Sequence, residues 1–204
     1  MTTTTCGLVL AGGLARRMGG GDKSLRLLAG RPILAHVVDR MRGQCDDLLL
    51  SANGDPTRFA AFGLPVVADT VPGFAGPLAG ILAGVDWLAE HRPDTAWLLS
   101  VAADTPFIPR DLAPRLHEAR AAAGLPLACA ASAGQAHHAI GLWPVSLRED
   151  LRRTLAAGER KLGRWTQAHG VAVAEWAVEP LDPFFNVNTP EDLREAERLA
   201  ELAS

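Results

Sequence analysis

Apolar positions in this chain fall into short unbroken runs, separated by longer stretches with a helical rhythm. Residues 6–10 (CGLVL) are apolar and lead straight into Ala-Gly-Gly. A run of four to eight apolar residues closed by glycine predicts a buried strand feeding a loop. Residues 48–51 and 66–68 predict a second and a third strand. Residues 96–102 (AWLLSVA) are apolar without alternation, as in a central parallel strand covered on both faces. Residues 127–131 and 139–143 predict two more, and 171–178 alternates loosely. Helical spacing occupies 33–41 (with Pro32 at the first turn), 76–88, 112–123, 147–157 and 190–202. The last of these has Thr189 as its N-cap and Pro190 at its first position. Strands alternating with helices at this spacing predict one α/β domain, residues 1–204, with a mostly parallel sheet.

Sheets of that kind place their sites beyond the carboxyl ends of the strands. The polar residues of interest fall at those ends: the 12–23 loop, Ser51 and Asn53, Asp69, and Asp104. That coincidence is the main reason to read an enzyme here. Residues 10–24 (LAGGLARRMGGGDKS) combine five glycines with Arg16, Arg17 and Lys23. Glycines let backbone N–H groups approach a phosphate, and the cations balance its charge. The stretch is neither a P-loop nor a dinucleotide fingerprint, because GxxxxGK[ST] and GxGxxG are both absent there. The plain alternative is a glycine-rich surface turn. Asp104, just after the central strand, is placed to hold a divalent cation such as magnesium, or to cap an Asx turn. Asp69 could accept from a base or a ribose hydroxyl, or simply cap its strand. Ser51 and Asn53 suit a base edge, or an Asn-Gly turn. Asn186 and Asn188 flank Val187, so an extended backbone turns both to one side. His137 and His138 have no third ligand at zinc spacing, and Arg160, Lys161 and Arg164 form a charged turn.

Composition narrows the classes further. With 20 Lys plus Arg against 23 Asp plus Glu the net charge is -3, so bulk electrostatics predict no nucleic-acid partner. No window of 18 apolar residues runs without interruption, which predicts no membrane span, and the N-terminus lacks a signal-peptide pattern. Three scattered cysteines, Cys6, Cys45 and Cys129, read as plain buried residues in a cytoplasmic protein. Neither GxSxG nor a cysteine paired with a nearby histidine is present, which leaves chemistry by positioning and charge neutralisation.

These residues resemble those of the molybdenum cofactor guanylyltransferases, bacterial enzymes that attach GMP to molybdopterin. The resemblance spans nearly the whole chain: LAGGLARRMGGGDK, VVADT, FAGPLAGI, ADTPFIP, GERK and the closing FFNVNTPEDL, in that order. It implies a three-layer α/β/α sandwich of the nucleotide-diphospho-sugar transferase type, with an N-terminal GTP-binding part and a C-terminal molybdopterin-binding part. By resemblance, Leu10, Ala11 and Gly12 line the nucleotide, and Gly13 and Arg17 lie over its phosphates. Lys23 holds the triphosphate, Asp69 contacts the nucleoside, and Asp104 binds GTP and Mg2+. Asn186 and Asn188 lie on the pterin side. Arg17, Lys23 and Asp104 are thus the expected catalytic residues. The implied reaction joins GTP to molybdenum-bearing molybdopterin and releases pyrophosphate. Two anions must meet, and at 4 Å unit charges repel by about 4 kcal/mol at an effective dielectric of 20. The expected protein partners are the one that delivers molybdopterin and the molybdoenzyme chaperones.

The sequence departs from that family pattern at Ser51, where the family has the first residue of Asn-Ala-Asn, and at His138, where it has proline. Ser51 keeps open a cytidylyltransferase of the same pathway using CTP. A sugar-1-phosphate nucleotidyltransferase and a non-catalytic nucleotide-binding adaptor are the other readings. The short chain weighs against the first, and the joint presence of Lys23 and Asp104 against the second.

Overall fold

The computed structural model describes residues 4–12, 22–70 and 76–202. In chain order the strands are β1 (Thr5–Leu10), β2 (Leu27–Leu28), β3 (Arg31–Pro32), β4 (Asp47–Ser51), β5 (Val66–Val67), β6 (Trp97–Ala102), β7 (Leu127–Ser132), β8 (Gln135–Pro144) and β9 (Val171–Trp176). The helices are α1 (Ile33–Met41), α2 (Pro77–His91), α3 (Leu112–Ala123), α4 (Arg148–Ala156), α5 (Leu162–His169) and α6 (Pro190–Leu202). Among the described residues, seven strands form one sheet in the order β5-β4-β1-β6-β8-β7-β9, and β2-β3 is a separate hairpin. β8 alone runs against its neighbours.

The sheet is buried on both faces, which is why its strands read as continuous apolar runs. One face carries α1 and α3, through Leu34, Val37, Met41, Leu112 and Leu116. The other carries α2, α4 and α5, through Ile81, Leu82, Leu88, Leu151, Leu155 and Trp165. A third apolar cluster joins Leu28, Ile33, Phe107 and Val187 to Ala196 and Leu199 of α6. The result is the expected three-layer sandwich with a mostly parallel sheet. Among the described residues no helix is long and apolar enough to cross a membrane.

Close approach of α2 to the sheet depends on missing side chains. A Cβ on Gly80 would meet Leu10 Cδ2 at 2.7 Å and Ser51 Oγ at 2.8 Å, and one on Gly84 would meet Leu8 Cδ2 at 3.0 Å. These glycines seat the helix directly over the ends of β1 and β4.

Three expectations change. The strand expected at 139–143 is longer and antiparallel, because a two-residue turn, Ala133-Gly134, folds it back on β7. Both turn residues have positive φ, 50° and 72°, the geometry that matches the twist of paired strands. The pairing then slips between Cys129↔Gly141 and Ala130↔His137, so residues 138–140 bulge from the ladder. Helix 147–157 becomes a 3-10 turn, Val145–Leu147, followed by α4. The charged turn at 158–161 is followed by α5, which the apolar pattern did not announce. The terminal helix starts as expected. Thr189 Oγ1 accepts from Asp192 N, and Asp192 Oδ2 accepts from Thr189 N at 2.8 Å, a reciprocal cap.

The cysteines are free, with Cys6 and Cys129 buried and Cys45 only partly so. Burial pushes the Cys6 thiol up to about 12 and Cys129 to about 11, and raises Cys45 as well. All three are neutral thiols at physiological pH, with no nucleophilic character.

Candidate active site

Because β1, β4, β5 and β6 are parallel, their carboxyl ends open on one edge of the sheet. Backbone hydrogen bonds carry the ladder past the strand ends: Ala11 N donates to Ser51 O, Ala52 N to Val67 O, and Ala103 N to Leu10 O. The residues that follow are therefore held as firmly as the strands. They surround a cavity of about 270 Å³. Leu10, Ala11, Gly12, Lys23, Ser51, Asn53, Asp69 and Asp104 all line it. So do Gly76, Pro77 and Gly80 at the start of α2, and Ala139 from the β8 bulge.

Ala139 owes its place to a buried serine. Ser100 Oγ donates to Ala139 O at 2.7 Å and accepts from Trp143 Nε1 at 2.8 Å. The fully buried hydroxyl is thereby satisfied, and the bulge is pinned at the cavity wall.

On one side of the cavity Asn53 and Asp69 are locked together. Asn53 Nδ2 donates to Asp69 Oδ2 at 2.8 Å, and Asp69 N donates to Asn53 Oδ1 at 2.9 Å. Both ends of the amide are used, so Asn53 orients the carboxylate and leaves its other oxygen to accept from a ligand. Arg58 braces this corner. It donates to Asn53 O and Asp55 O at 2.6 Å each and pairs with Asp22 at 2.6 Å, tying the 53–55 loop to the residue before Lys23.

On the other side Lys23 Nζ makes a short ion pair with Asp104 and donates to Asn188 Oδ1 at 2.6 Å. Both charged side chains are mostly buried, 16% and 17% exposed. Asp104 O also accepts from Val187 N at 2.9 Å, and Thr105 Oγ1 donates to Asn186 Oδ1 at 2.7 Å. The 186–188 segment is thus fastened to the turn after β6, which places both asparagines beside the cavity rather than in its wall.

Gly13 and Arg17 lie outside the described residues. Arg160 N and Lys161 N both donate to Glu159 Oε1 at 2.8 Å, and Arg164 pairs with Glu159 at 3.5 Å. His137 is turned away from catalysis. Its Nε2 bonds Ser132 Oγ at 2.8 Å, its ring packs on Phe184, and burial lowers its pKa. The described residues contain no cluster of three or more His, Cys, Asp or Glu able to hold a metal unaided. Asp104 fits a cation that takes one protein carboxylate and completes its shell with substrate phosphates. Four contributors were not singled out from sequence: Ser24, Arg58, Gly80 and Ala139. Ser24 sits in the quoted glycine–lysine motif and Gly80 in the quoted FAGPLAGI, whereas Arg58 and Ala139 carry no local signal.

A family model described as the MobA-like NTP transferase domain matches residues 7–173. The chain is 62% identical to the molybdenum cofactor guanylyltransferase of Rhodopseudomonas palustris (strain HaA2) over 194 residues, 95% of this chain and 91% of that one. It is 62% identical to the same-named protein of Bradyrhizobium sp. (strain ORS 278) over 202 residues, 98% of this chain and 95% of that one. The crystal structure of molybdopterin-guanine dinucleotide biosynthesis protein A from Archaeoglobus fulgidus shares the fold. Its TM-score is 0.74 at 22% identity, covering 97% of this chain and 99% of that one. The chain belongs to the MobA-like NTP transferase family, in its molybdenum cofactor guanylyltransferase branch.

Proposed function

We propose that this chain transfers GMP from GTP to the terminal phosphate of molybdenum-bearing molybdopterin, releasing pyrophosphate. The observation that carries the reading is the position of the Lys23–Asp104 pair. It stands on the wall of the strand-end cavity and, through Asn188, touches the segment that the family resemblance gives to the second substrate.

The nucleoside lies against Leu10, Ala11 and Gly12, with Asp69, Ser51 and Asn53 around its polar edges. The free oxygen of Asp69 accepts from a ring or ribose donor. Lys23, together with Arg17 and the N–H groups of the Gly12-Gly13 loop, offsets charge on the triphosphate. Asn186 and Asn188 hold the pterin substrate beside the α-phosphate. A phosphate oxygen of molybdopterin attacks the α-phosphorus, the bond to the bridging oxygen of pyrophosphate breaks, and two phosphates are left linked. No side chain needs to act as nucleophile. The protein's part is to bring two anions together in line.

Mg2+ fits at Asp104, where its charge would offset that of the triphosphate. In the free protein Lys23 neutralises that carboxylate. Nucleotide binding gives the lysine a phosphate partner and releases Asp104. The expected setting is the cytoplasm, in passing contact with the protein that delivers molybdopterin and the chaperones of molybdoenzymes.

Calorimetric titration with GTP, CTP, ATP and UTP, each with magnesium, tests the reading. Preference for GTP that is lost in Asp104→Ala supports it. Preference for CTP moves the assignment to cytidylyl transfer, the alternative that Ser51 keeps open. Binding of none of the four overturns nucleotidyl transfer.

A further inference from the structure

Buried polar groups in folded proteins almost always find a partner, so one that does not calls for an explanation. Ser24 presents such a case. It is 5% exposed, and its Oγ is buried with no hydrogen-bond partner among the described residues. It is not in a remote part of the core. Ser24 lines the cavity, next in sequence to Lys23, in the 3-10 turn Lys23–Leu25. Alanine would fill the same space without stranding a hydroxyl, so packing does not account for serine.

The surroundings limit what could satisfy it. Its neighbour Lys23 supplies a positive charge, and Asp104 lies across the cavity wall within reach of that lysine. A group that draws Lys23 off Asp104 must be anionic and rich in acceptors, and it would lie beside Ser24. A serine hydroxyl needs only rotation about one bond to redirect its proton. A phosphate oxygen meets these conditions, and it forms stronger hydrogen bonds than a neutral acceptor.

We infer that Ser24 is a further substrate-binding residue, whose hydroxyl donates to the nucleotide's triphosphate. It has no partner among the described residues of the free protein and is satisfied in the complex. The inference rests on the nucleotidyl-transfer reading and adds to it a contact that the family resemblance does not supply. It also gives the turn a thermodynamic signature. The serine costs stability when the cavity is empty and returns binding strength when it is filled, as site residues often do.

The test is Ser24→Ala, measured two ways against the wild type. In thermal melts of the free protein, the alanine variant is expected to melt higher by about 2–4 °C, because it removes an unsatisfied buried hydroxyl. In calorimetry with magnesium present, it is expected to bind GTP about tenfold more weakly, the effect of one charge-assisted hydrogen bond. Guanosine should bind both proteins equally. A purely structural serine would give the opposite first result, a lower melting temperature, and that outcome overturns the inference. So does unchanged GTP affinity, or a loss that is equal for guanosine. A wild type that binds no nucleotide overturns the transferase reading and this inference together. Wild-type binding of GTP with an unaffected alanine variant overturns this inference alone.

Discussion

The two halves of the site are held by different means. The half proposed to hold the nucleotide stands on the ends of parallel strands, and ladder hydrogen bonds extend past Leu10, Ser51 and Ala102 to fix the residues that follow. The half proposed to hold the acceptor is a loop, 184–189, remote in sequence from the strands it meets. It is attached by Val187 N to Asp104 O, by Thr105 to Asn186, and by Lys23 to Asn188. The first half inherits its geometry from the sheet. The second depends on a few hydrogen bonds, two of them between side chains. Lys23 and Asp104 belong to both, and so damage should spread furthest from them.

Asp104→Ala should have the largest effect, lowering turnover by about 10²–10³-fold, as loss of a charge-positioning group does. Pyrophosphate release reports it, and the melting temperature should move by only a few degrees. A variant that fails to fold would make Asp104 structural first. Lys23→Ala comes next, with about a hundredfold loss in kcat/KM for GTP. It should also raise KM for molybdopterin, because Asn188 loses its donor. An effect confined to GTP would separate the two halves that Lys23 is here said to join.

Thr105→Val probes the acceptor half alone. The hydroxyl is fully buried and bonds Asn186. Its loss frees the amide to turn, raising KM for molybdopterin about five- to tenfold with GTP affinity unchanged, and Thr105→Ser should restore the wild-type value. Loss of GTP affinity instead would place Thr105 with the nucleotide half.

The smallest effect is on stability against pH. Burial lowers the pKa of His137, which packs under the acceptor half against Phe184, and of His117, with Asp182 and Glu175 partly opposing the shift at His137. The unfolded chain takes up these protons below about pH 6.5, and the folded one resists them. Melting temperature should therefore fall as pH drops below 6.5, and fall less steeply in His137→Gln. An unchanged slope in that variant would assign the effect elsewhere.

The gathering of polar residues at the strand ends was legible in the sequence, and for a physical reason. Apolar runs that stop at Ser51, Asp69 and Asp104 mark the edge where buried strands meet a polar site. Direction was not legible, since apolar content cannot say that β8 runs backwards. Its turn, and that of the β2-β3 hairpin, are both Ala-Gly rather than the Asn-Gly or Asp-Gly that usually signals such a bend. The polar start of β8 (QAHH) hid its length. α5 is eight residues with a glycine inside, too short and too weak a helix former to stand out. A Cβ on that glycine would come within 3.1 Å of the His138 ring, a close contact that the ring would have to yield to. Arg58 and Ser24 depend on partners gained or lacking in the folded state, which no local pattern records.

Helix α6 makes the acceptor half conditional. Its cap bonds the backbone of Asn188 and Thr189, and Ala196 and Leu199 share a small cluster with Val187, Phe107 and Leu28. Among the described residues α6 pairs with no strand, and that cap and that cluster carry its docking. Undocking of α6 would take the cap from Asn188 and Thr189 and leave the strand-end cavity standing. The apparent affinity for a second substrate held at these asparagines would then be the intrinsic affinity scaled by the fraction of time α6 is docked. Leu199→Ala, which touches no substrate, should weaken molybdopterin binding and leave GTP binding alone. Docking of α6 would then set the occupancy of the second substrate, and a variant that touches neither substrate would separate the two affinities.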